Sequence, residues 1–555
     1  MLFSTNYLKK NIYLIYLLLF VLGALLSFPF LGSTHLFDWD EINFAECARE
    51  MLVTNNYKTV QINFKPFWEK PPLFIWLQAA SMKVFGVNEF AARFPNAVCG
   101  VTVLLMLFSI GRKIVSTTFG LIWVLVYAGS LLPQLYFKSG IIDPWFNLFI
   151  FLGIYQLLVF TDTSQTPSNY RLTLSGLFIG LAIMTKGPVA LLIYCTCLLC
   201  YLVVNRFKTN IKFQHLVLFF ATALSIGGLW FLFLLLSGNK QIIYDFFEYQ
   251  IRLLTTQDAG HGGPFFFHFI ILFIGCFPAS IFAIFGFKNS ATNSPTQKHV
   301  KIWMMILFWV VLILFSIVKT KIIHYSSLCY FPLTYLASYF IYQVIHEQKK
   351  WNKWISGILV FIGSLLTISF AVLPLVDKYK QEIIKSKLIK DPFAEANLQA
   401  DVHWRGFESL IGALILATLI TYVFYVRKNK IQKAILLLFA GTMIAFNLVF
   451  LIVLPKIEQY SQNAAIEFFK SLKDKECYAI SMRYKSYAQL FYAQKKPTDH
   501  PMSIYMDWLV DGEIDKPCYF STKITNEENV RNNFPQLQEV GRKNGFVFYV
   551  RNPPK

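Results

Sequence analysis

The chain has too few charged residues for a soluble protein of its length. Asp, Glu, Lys and Arg make up only 15% of its 555 residues, whereas soluble globular domains carry about 25%. The mean hydropathy is +0.49, and the apolar residues come in runs of about twenty, the length that crosses the hydrocarbon layer of a bilayer. These properties exclude a set of soluble domains and indicate an α-helical polytopic membrane protein.

Several common functional motifs are also missing from the sequence. It contains no internal repeat, low-complexity tract, Walker loop or dinucleotide-binding fingerprint. The nine cysteines show no spacing typical of a structural zinc site, and six of them lie in or beside apolar segments. Cys477 and Cys518 fall in the C-terminal tail and could pair. The sequence therefore gives no signal for a nucleotide-driven or zinc-stabilised protein.

Hydropathy predicts about thirteen transmembrane helices. They lie near 12–31, 97–111, 117–136, 144–160, 172–185, 188–204, 215–237, 265–286, 302–318, 325–345, 354–375, 408–426 and 434–454. The first run lacks a small-residue cleavage site, so we expect it to remain as an uncleaved helix.

The basic residues of the loops predict how these helices are oriented. With the N-terminus in the cytoplasm, the seven cytoplasmic stretches hold 18 Lys and Arg residues and only two carboxylates, Asp162 and Glu347. This asymmetry accounts for most of the net charge of +20. It follows the positive-inside rule, so the charge reports topology and not a nucleic-acid partner. An odd number of spans then places the C-terminal tail outside the cytoplasm.

The sequence divides into a transmembrane domain, 1–455, and a small extracytoplasmic α/β domain, 456–555. In the tail, Cys477–Met482 and Phe546–Val550 are typical of strands, and Glu467–Leu472 of a helix. The first outer loop spans 32–96 and is predicted to contain two helices. The apolar stripe of 38–57 favours an amphipathic helix lying along the membrane interface. A second helix is expected to begin at Pro71 or Pro72 and end at Gly86.

Basic side chains beside the outer ends of the spans need an explanation, because the positive-inside rule depletes them there. They are Lys70, Lys186, Arg252, Lys319 and Lys321, and they are joined by Asp40, Glu41, Glu69, Asp143, His261 and His324. Each has a structural alternative when it is taken alone. Lysines extend to the interface, and Asp143 before Pro144 is a good helix N-cap. Glu41 and Glu46 fit a solvated helix face, and His324 fits an interfacial hydrogen bond. As a group on one side of the membrane, they fit a site for a phosphate-bearing lipid and an acid–base step.

Several motifs in this region resemble those of a known family. They are Asp40-Glu41 with Ala45-Glu46-Cys47-Ala48-Arg49-Glu50-Met51, Phe67-Trp68-Glu69-Lys70-Pro71-Pro72-Leu73, Gly140 to Asp143, Thr185-Lys186-Gly187-Pro188, Arg252 with His261, and Lys319 to Tyr325. Their order is similar to that in the GT-C glycosyltransferases, multi-spanning membrane enzymes. The branch they resemble contains the bacterial aminoarabinose transferases of lipid A and is akin to the protein mannosyltransferases. The resemblance covers about 30–335.

This resemblance implies an enzyme of the cytoplasmic (inner) membrane with its active site facing the periplasm. Such an enzyme is an inverting glycosyltransferase that moves a sugar from an undecaprenyl-phosphate donor to lipid A, another glycolipid or a protein. By position, the resemblance assigns catalysis to Asp40, with Glu41 and Asp143 as further candidates. It assigns the donor phosphate to Lys70 and Arg252, and the remaining donor-site candidates are Lys186, Lys319, Lys321 and Tyr325. No cofactor is required, and a divalent metal at Glu69 and His261 stays open.

Alternatives for the substrate and for the function remain at this point. The aminoarabinose transferases usually continue the acidic pair as Asp-Glu-Thr-Arg-Tyr, where this chain has Ile42, Asn43 and Phe44. The sugar and the acceptor are therefore open. A flippase for lipid-linked glycans is a rival hypothesis, but it should show related halves and charges near the bilayer midplane. A glycan ligase or polymerase is a third hypothesis, against which the acidic pair and the Glu69-Lys70-Pro71-Pro72 motif argue.

Overall fold

Helices form most of the structure, a computed structural model that describes residues 11–164, 166–256, 262–288, 294–346, 351–497 and 499–554. Helices suit a membrane because each satisfies its backbone hydrogen bonds within one segment. Up to residue 256 the α-helices are α1 (Ile12–Ser27), α2 (Asp40–Thr54), α3 (Leu73–Phe85), α4 (Glu89–Ile114), α5 (Thr117–Ala128), α6 (Leu131–Leu135), α7 (Asp143–Thr161), α8 (Asn169–Lys186), α9 (Val189–Val204), α10 (Phe213–Gly227), α11 (Leu229–Leu236) and α12 (Lys240–Thr255).

The second half continues the helical bundle and ends in the tail. Its α-helices are α13 (Phe267–Gly275), α14 (Ala279–Gly286), α15 (Pro295–Ile317), α16 (Tyr330–His346), α17 (Lys353–Val372), α18 (Leu375–Lys378), α19 (Lys380–Lys385), α20 (Pro392–Leu398), α21 (Leu410–Arg427), α22 (Ile431–Leu448), α23 (Leu454–Gln459), α24 (Asn463–Lys470), α25 (Ala488–Tyr492), α26 (Met506–Asp511) and α27 (Glu527–Asn533). The predicted division at 455/456 falls within α23.

Seven described helices are long and apolar enough to cross a membrane. They are α4, α7, α15 and α17, and the runs Ile323–His346, Phe407–Arg427 and Ile431–Gln459. The number rises to ten if each of three bent pairs is one span: α5 with Leu131–Lys138, α10 with α11, and α13 with α14. Each remaining predicted span matches one of the shorter or more polar helices α1, α8 and α9. The polytopic character is confirmed, and the count of thirteen stays a prediction.

The first outer loop contains the two helices predicted for it, joined by a short hairpin. Strands β1 (Gln61–Ile62) and β2 (Lys65–Pro66) pair antiparallel between α2 and α3. Helix α3 follows Pro72 and ends at Gly86, whose φ of +79° is one that residues other than glycine rarely adopt. Asn88 caps α4, because its side chain accepts a hydrogen bond from the Ala91 N–H at 2.9 Å.

The prediction that the helix within 38–57 has a solvated polar face is wrong, whereas its position along the membrane interface stays a prediction. Every residue of α2 from Glu41 to Met51 is buried, because the tail packs over this helix. Its Glu46 carboxylate is paired within the protein instead of being solvated. Glu46 accepts two hydrogen bonds of 2.7 Å from Arg49. Burial next to Glu46 raises the pKa of Glu50 to about 9.

The tail contains a four-stranded sheet in the order β3-β4-β6-β5. The strands are β3 (Tyr478–Ser481), β4 (Cys518–Lys523), β5 (Gln538–Lys543) and β6 (Phe546–Arg551). Strand β3 runs parallel to β4, and the other two pairings are antiparallel. The predicted strands at 477–482 and 546–550 and the helix at 467–472 coincide with β3, β6 and α24, whereas β4 and β5 were not predicted.

Cys477 and Cys518 are free thiols, so the suggested pairing is not formed. The register explains why. Cys518 lies opposite Tyr478 in the parallel β3–β4 pair. Neighbouring residues of a strand point to opposite faces of the sheet, so the side chain before Tyr478 does not share the face of Cys518.

The first outer loop and the tail form a single hydrophobic core. Buried side chains of α2 and α3, such as Ile42 and Ile75, belong to one cluster with Phe469, Leu490 and Phe546 of the tail. Polar contacts add to this core, since the Leu36 N–H donates to the Tyr492 hydroxyl at 2.8 Å. The tail is thereby held over the first loop, and this arrangement encloses the cavity described next.

Candidate active site

A cavity of about 890 Å³ lies between the ends of the helical bundle, the first outer loop and the tail. Its wall contains most of the charged residues that the sequence singles out. These are Asp40, Glu41, Glu69, Lys70, Asp143, Lys186, Arg252, His324 and Tyr325. Residues separated by almost 300 positions in the chain thus meet in one place.

Asp40, the first residue of α2, contacts His324 in the cavity wall. The His324 Nε2 lies 3.3 Å from Asp40 Oδ2 and 3.6 Å from Asp143 Oδ2. Asp143 in turn accepts a hydrogen bond of 2.6 Å from Lys186 Nζ through its other oxygen. The imidazole therefore bridges two carboxylates, of which Asp143 is buried and Asp40 keeps 30% of its side chain exposed. Asp40 is the one that a substrate in the cavity can reach.

Neither carboxylate acts as a helix N-cap. The residue before α2 is Trp39 and the residue before α7 is Ile142, and neither cap position has a side-chain hydrogen bond. The alternative that Asp143 only caps a helix is therefore wrong, because its carboxylate is directed to Lys186 and His324.

The surroundings keep Asp40 ionised. Enclosure by protein favours the neutral carboxyl group, but the hydrogen bond and charge of His324, with the charges of Lys70 and Lys186, outweigh it. The pKa of Asp40 consequently lies below its ordinary value. An ionised carboxylate can accept a proton or balance a developing positive charge.

Lys70 and Arg252 share one aromatic ring at another part of the wall. The Lys70 Nζ is 4.9 Å and the Arg252 Cζ 5.2 Å from the centroid of the Tyr249 ring. Lys186 lies 4.7 Å from the ring centroid of Tyr325. Aromatic faces attract a cation without neutralising it, so these ring contacts position the cations in the wall, and Lys186 is in addition paired with Asp143.

Glu41 lines the cavity, but its carboxylate is already fully engaged. It accepts hydrogen bonds from Arg93 Nε at 3.1 Å, from Arg93 Nη2 at 2.8 Å and from the Phe37 N–H at 2.8 Å. The Gly140 N–H donates a fourth, short one. Arg93 also donates to the carbonyls of Leu31 and Thr34. Glu41 thus has the contacts of a group that fixes the loop, and a chemical role for it stays a prediction.

The structure does not bring Lys319 and Lys321 to the cavity. Both line a separate surface pocket. The Lys321 Nζ donates to the carbonyls of Phe315, Ser316 and Val318, at 3.1, 2.6 and 2.6 Å, and so caps the C-terminal end of α15. A lysine at a helix C-terminus is favoured by the carbonyls and the helix dipole. Lys321, which the sequence analysis assigns to the donor site, therefore stabilises the end of α15.

The predicted metal ligands are not assembled in the part of the chain that the structure describes. Glu69 lines the cavity, whereas His261 lies outside the described residues. Among the described residues, no group of three or more His, Cys, Asp or Glu side chains has an arrangement that could hold a metal ion. A divalent metal at Glu69 and His261 stays a prediction.

Three residues of the cavity wall have no assigned role in the sequence analysis. His324 belongs to the charged group that the sequence singles out, but it receives no role of its own there, because an interfacial hydrogen bond explains it equally well. Lys485 and Lys523, from the tail, also line the cavity. Nothing in their local sequence distinguishes them from solvated surface lysines, because only the packing of the tail brings them there.

Comparison with known proteins shows which sequences and folds this chain resembles. A family model described as dolichyl-phosphate-mannose-protein mannosyltransferase matches residues 69–230. Proteins of Wigglesworthia glossinidia brevipalpis and Shewanella sediminis, both named undecaprenyl phosphate-alpha-4-amino-4-deoxy-L-arabinose arabinosyl transferase, are also similar. The first is 28% identical over 348 residues, 61% of this chain and 60% of that protein. The second is 26% identical over 369 residues, 66% of each chain. This chain therefore aligns with less than two thirds of either relative.

The fold has a close parallel among solved structures. The crystal structure of ArnT from Cupriavidus metallidurans bound to undecaprenyl phosphate superposes with a TM-score of 0.74, over 97% of this chain and 99% of that one, at 16% identity. At that identity the likeness concerns the fold. Together, these comparisons confirm the GT-C fold and the resemblance that the motifs predict.

Proposed function

We propose that this chain, which has the fold of ArnT, is a glycosyltransferase that moves a sugar from a polyprenyl-phosphate donor to an acceptor at the membrane surface. One observation carries the proposal: a single cavity at the end of the bundle combines the ring-held cations Lys70 and Arg252 with the ionised carboxylate Asp40. The names of the relatives, which specify an undecaprenyl-phosphate-linked sugar, support the same donor.

The cations serve the leaving group in this reaction. When the bond between the anomeric carbon and the carrier oxygen breaks, its electron pair stays on the phosphate, which gains a negative charge. Lys70, Arg252 and Lys186 are placed to hold the phosphate and to stabilise that charge. One preorganised donor in a comparable site contributes about 2.7–4 kcal/mol to transition-state stabilisation.

Asp40 serves the acceptor side of the same step. The acceptor oxygen forms the new bond to the anomeric carbon as the old bond breaks, so that the configuration inverts. For a hydroxyl acceptor, the proton goes to the Asp40 carboxylate, which is worth about 10²–10⁴-fold in rate. A phosphate acceptor is already anionic, and Asp40 then stabilises the positive charge that develops on the sugar. His324 is a positioning residue, because its imidazole lies between Asp40 and Asp143 and contacts both carboxylates.

The polyprenyl chain of the donor explains why such a site lies at the edge of the membrane. A polyprenyl chain costs about 0.8 kcal/mol per CH₂ to move into water, so the sugar must be presented while the chain stays in lipid. The positive-inside charges support a location of the cavity on the outer face of the cytoplasmic membrane. Lipid A, another glycolipid or a protein is the acceptor.

An in vitro transfer reaction tests the proposal. Detergent-purified protein is incubated with an undecaprenyl-phosphate-linked sugar and lipid A, and the lipid products are followed by mass spectrometry. We expect undecaprenyl phosphate and glycosylated product to appear together, and to disappear in Lys70→Met. Lys319→Met is the matched control, because that lysine lies outside the cavity. Transfer that requires a diphosphate-linked oligosaccharide, or transport without any new glycosidic bond, would contradict the proposal.

A further inference from the structure

Asn147 is a buried polar side chain of α7, in a stretch of the helix that is otherwise apolar. It is 2% exposed and lies four residues after Asp143, one helical turn further along the same face. A buried amide is costly unless it forms hydrogen bonds, so its contacts indicate its role. Asn147 does not line the cavity, and a contact with the substrate therefore does not explain it.

The Asn147 amide donates hydrogen bonds to two hydroxyl groups outside its own helix. Its Nδ2 lies 2.7 Å from the Ser327 Oγ and 3.1 Å from the Tyr136 hydroxyl. An amide nitrogen carries two hydrogens, so both bonds form at once. Ser327 belongs to a 3₁₀-helix, Ile323–Cys329, which we call the His324 turn. Asn147 therefore links α7 directly to the segment that carries the cavity histidine.

Ser327 extends this contact to the backbone of His324. Ser327 is 1% exposed, and its hydroxyl donates a short hydrogen bond to the His324 carbonyl oxygen. The Ser327 oxygen accepts from Asn147 while its hydrogen goes to that carbonyl, so the hydroxyl has a fixed orientation. The backbone of His324 is thus tied to α7 through two buried side chains.

The imidazole of His324 is held by the same helix. Its Nε2 lies 3.6 Å from the Asp143 Oδ2 and 3.3 Å from the Asp40 Oδ2. Since Asp143 and Asn147 are one turn apart, α7 contacts both the ring and, through Ser327, the backbone of His324. A side chain that is attached at one point can pivot, whereas two attachments to one rigid helix fix its direction.

A structural alternative is that Asn147 only joins α7 to its neighbours. Hydrogen bonds between membrane helices contribute modestly to stability. The His324 turn also has another attachment, because the His268 Nδ1 of α13 lies 3.2 Å from the Ser326 Oγ. Without Asn147 the turn therefore stays attached but is free to pivot. The alternative predicts a loss of stability alone, whereas a positioning role also predicts a change at Asp40.

We propose that Asn147 and Ser327 are positioning residues, which set the direction of the His324 imidazole and thereby the place of the Asp40 carboxylate in the transfer step. This inference rests on the proposed function and deepens it, because it adds two residues that lie outside the cavity. A displacement of about 1 Å at a reacting group can lower a rate about 10²-fold. A contact behind the cavity wall can therefore control the rate of the reaction.

Full-length variants in detergent test this inference. In Asn147→Leu, a branched apolar side chain replaces the amide, and Ser327→Ala deletes a single oxygen. The double variant combines the two changes. Ser175→Ala is the matched control, because Ser175 is also fully buried and its hydroxyl joins α8 to the Gly153 carbonyl of α7 at 2.8 Å without lining the cavity. Transfer rates are measured against donor concentration and pH, beside melting temperature and hydrogen exchange of the peptide that contains the His324 turn.

We expect kcat to fall about 10- to 10²-fold in Asn147→Leu and in Ser327→Ala. The KM for the donor should change little, because Lys70 and Arg252 keep their contacts. The double variant should be no slower than the slower single variant, since both changes break one connection. Ser175→Ala should melt like Ser327→Ala, because it loses a comparable hydrogen bond, but it should turn over like the wild type.

The pH profile and the exchange rates report on the position of His324. The acid limb of the profile should move to higher pH in the two variants, because a displaced His324 lowers the pKa of Asp40 less. Lys70 and Lys186, whose charges also lower that pKa, are unchanged. Backbone amides of the His324 turn should exchange faster than in the wild type and in Ser175→Ala.

Three results would overturn the inference. The first is turnover of both single variants within a few-fold of Ser175→Ala. The second is a fall in kcat with an unmoved acid limb and unchanged exchange, which would make Asn147 a purely stabilising residue. The third is a double variant slower by the product of the two single effects, which would mean that Ser327 does not transmit the contact. Ser327→Ala decides the question if Asn147→Leu is too unstable to purify. A wild type that transfers no sugar would instead contradict the proposed function, so the two proposals fail separately.

Discussion

Replacing Glu41 with glutamine is expected to destabilise the first outer loop, because Glu41 is the counter-ion of a buried arginine. Arg93 is 1% and Glu41 4% exposed, and two hydrogen bonds of 2.8 and 3.1 Å join them. The substitution leaves the guanidinium charge uncompensated. Removing one partner of a buried ion pair costs about 3–5 kcal/mol. Because Arg93 also donates to Leu31 and Thr34, the residues that lead into α2 lose their support.

A double-mutant cycle measures this pair. Thermal unfolding in detergent and protease cleavage of the first loop are compared for Glu41→Gln, Arg93→Met and the double variant. Each single variant should melt several degrees below the wild type. The double variant should be less destabilised than the sum of the two, since it buries no unpaired charge. A Glu41→Gln protein that melts like the wild type but has no turnover would refute the reasoning and give Glu41 a chemical role.

Three other substitutions test the roles of individual cavity and helix-end residues. In His324→Gln, the pKa of Asp40 should rise, because burial raises it and the opposing contact with His324 is lost. The acid limb of the pH–rate profile should therefore move to higher pH. An unmoved limb would contradict the positioning role of His324. Lys321→Met should lower the melting temperature, by the loss of three hydrogen bonds to carbonyls, yet still bind undecaprenyl phosphate. Lys70→Met should melt like the wild type and bind undecaprenyl phosphate poorly. If Lys321→Met lost lipid binding and Lys70→Met lost stability instead, the roles given to the two lysines would be wrong.

The parts of the fold that depend on local pattern could be predicted from the sequence. The apolar runs gave the positions of the bundle helices, because a segment buried in lipid must be apolar along its length. Helix α3 was bounded correctly by Pro72 and Gly86, since both residues restrict or permit specific backbone angles. Strand β6 was recognisable from Phe546 onwards, because its residues combine β-branched and aromatic side chains.

The properties that depend on distant packing could not be predicted. The polar residues of α2 are predicted to be solvated, because nothing in their own sequence shows that α25, more than 430 residues later, covers this helix. Glu46 consequently looked solvated and is buried against Arg49. For the same reason, the sequence could not distinguish Lys321, which caps α15, from Lys70, which lines the cavity.

The central claim is that Asp40 takes part in the transfer step, and one isosteric substitution tests it most directly. Asp40→Asn keeps the size and one carbonyl oxygen of the side chain but removes its charge. Turnover of purified protein with an undecaprenyl-phosphate-linked sugar and lipid A is measured beside melting temperature and undecaprenyl phosphate binding. We predict turnover lower by about 10²–10⁴-fold, with melting and lipid binding like those of the wild type. Turnover within a few-fold of the wild type would contradict the claim and make the pairing of Asp40 with His324 structural.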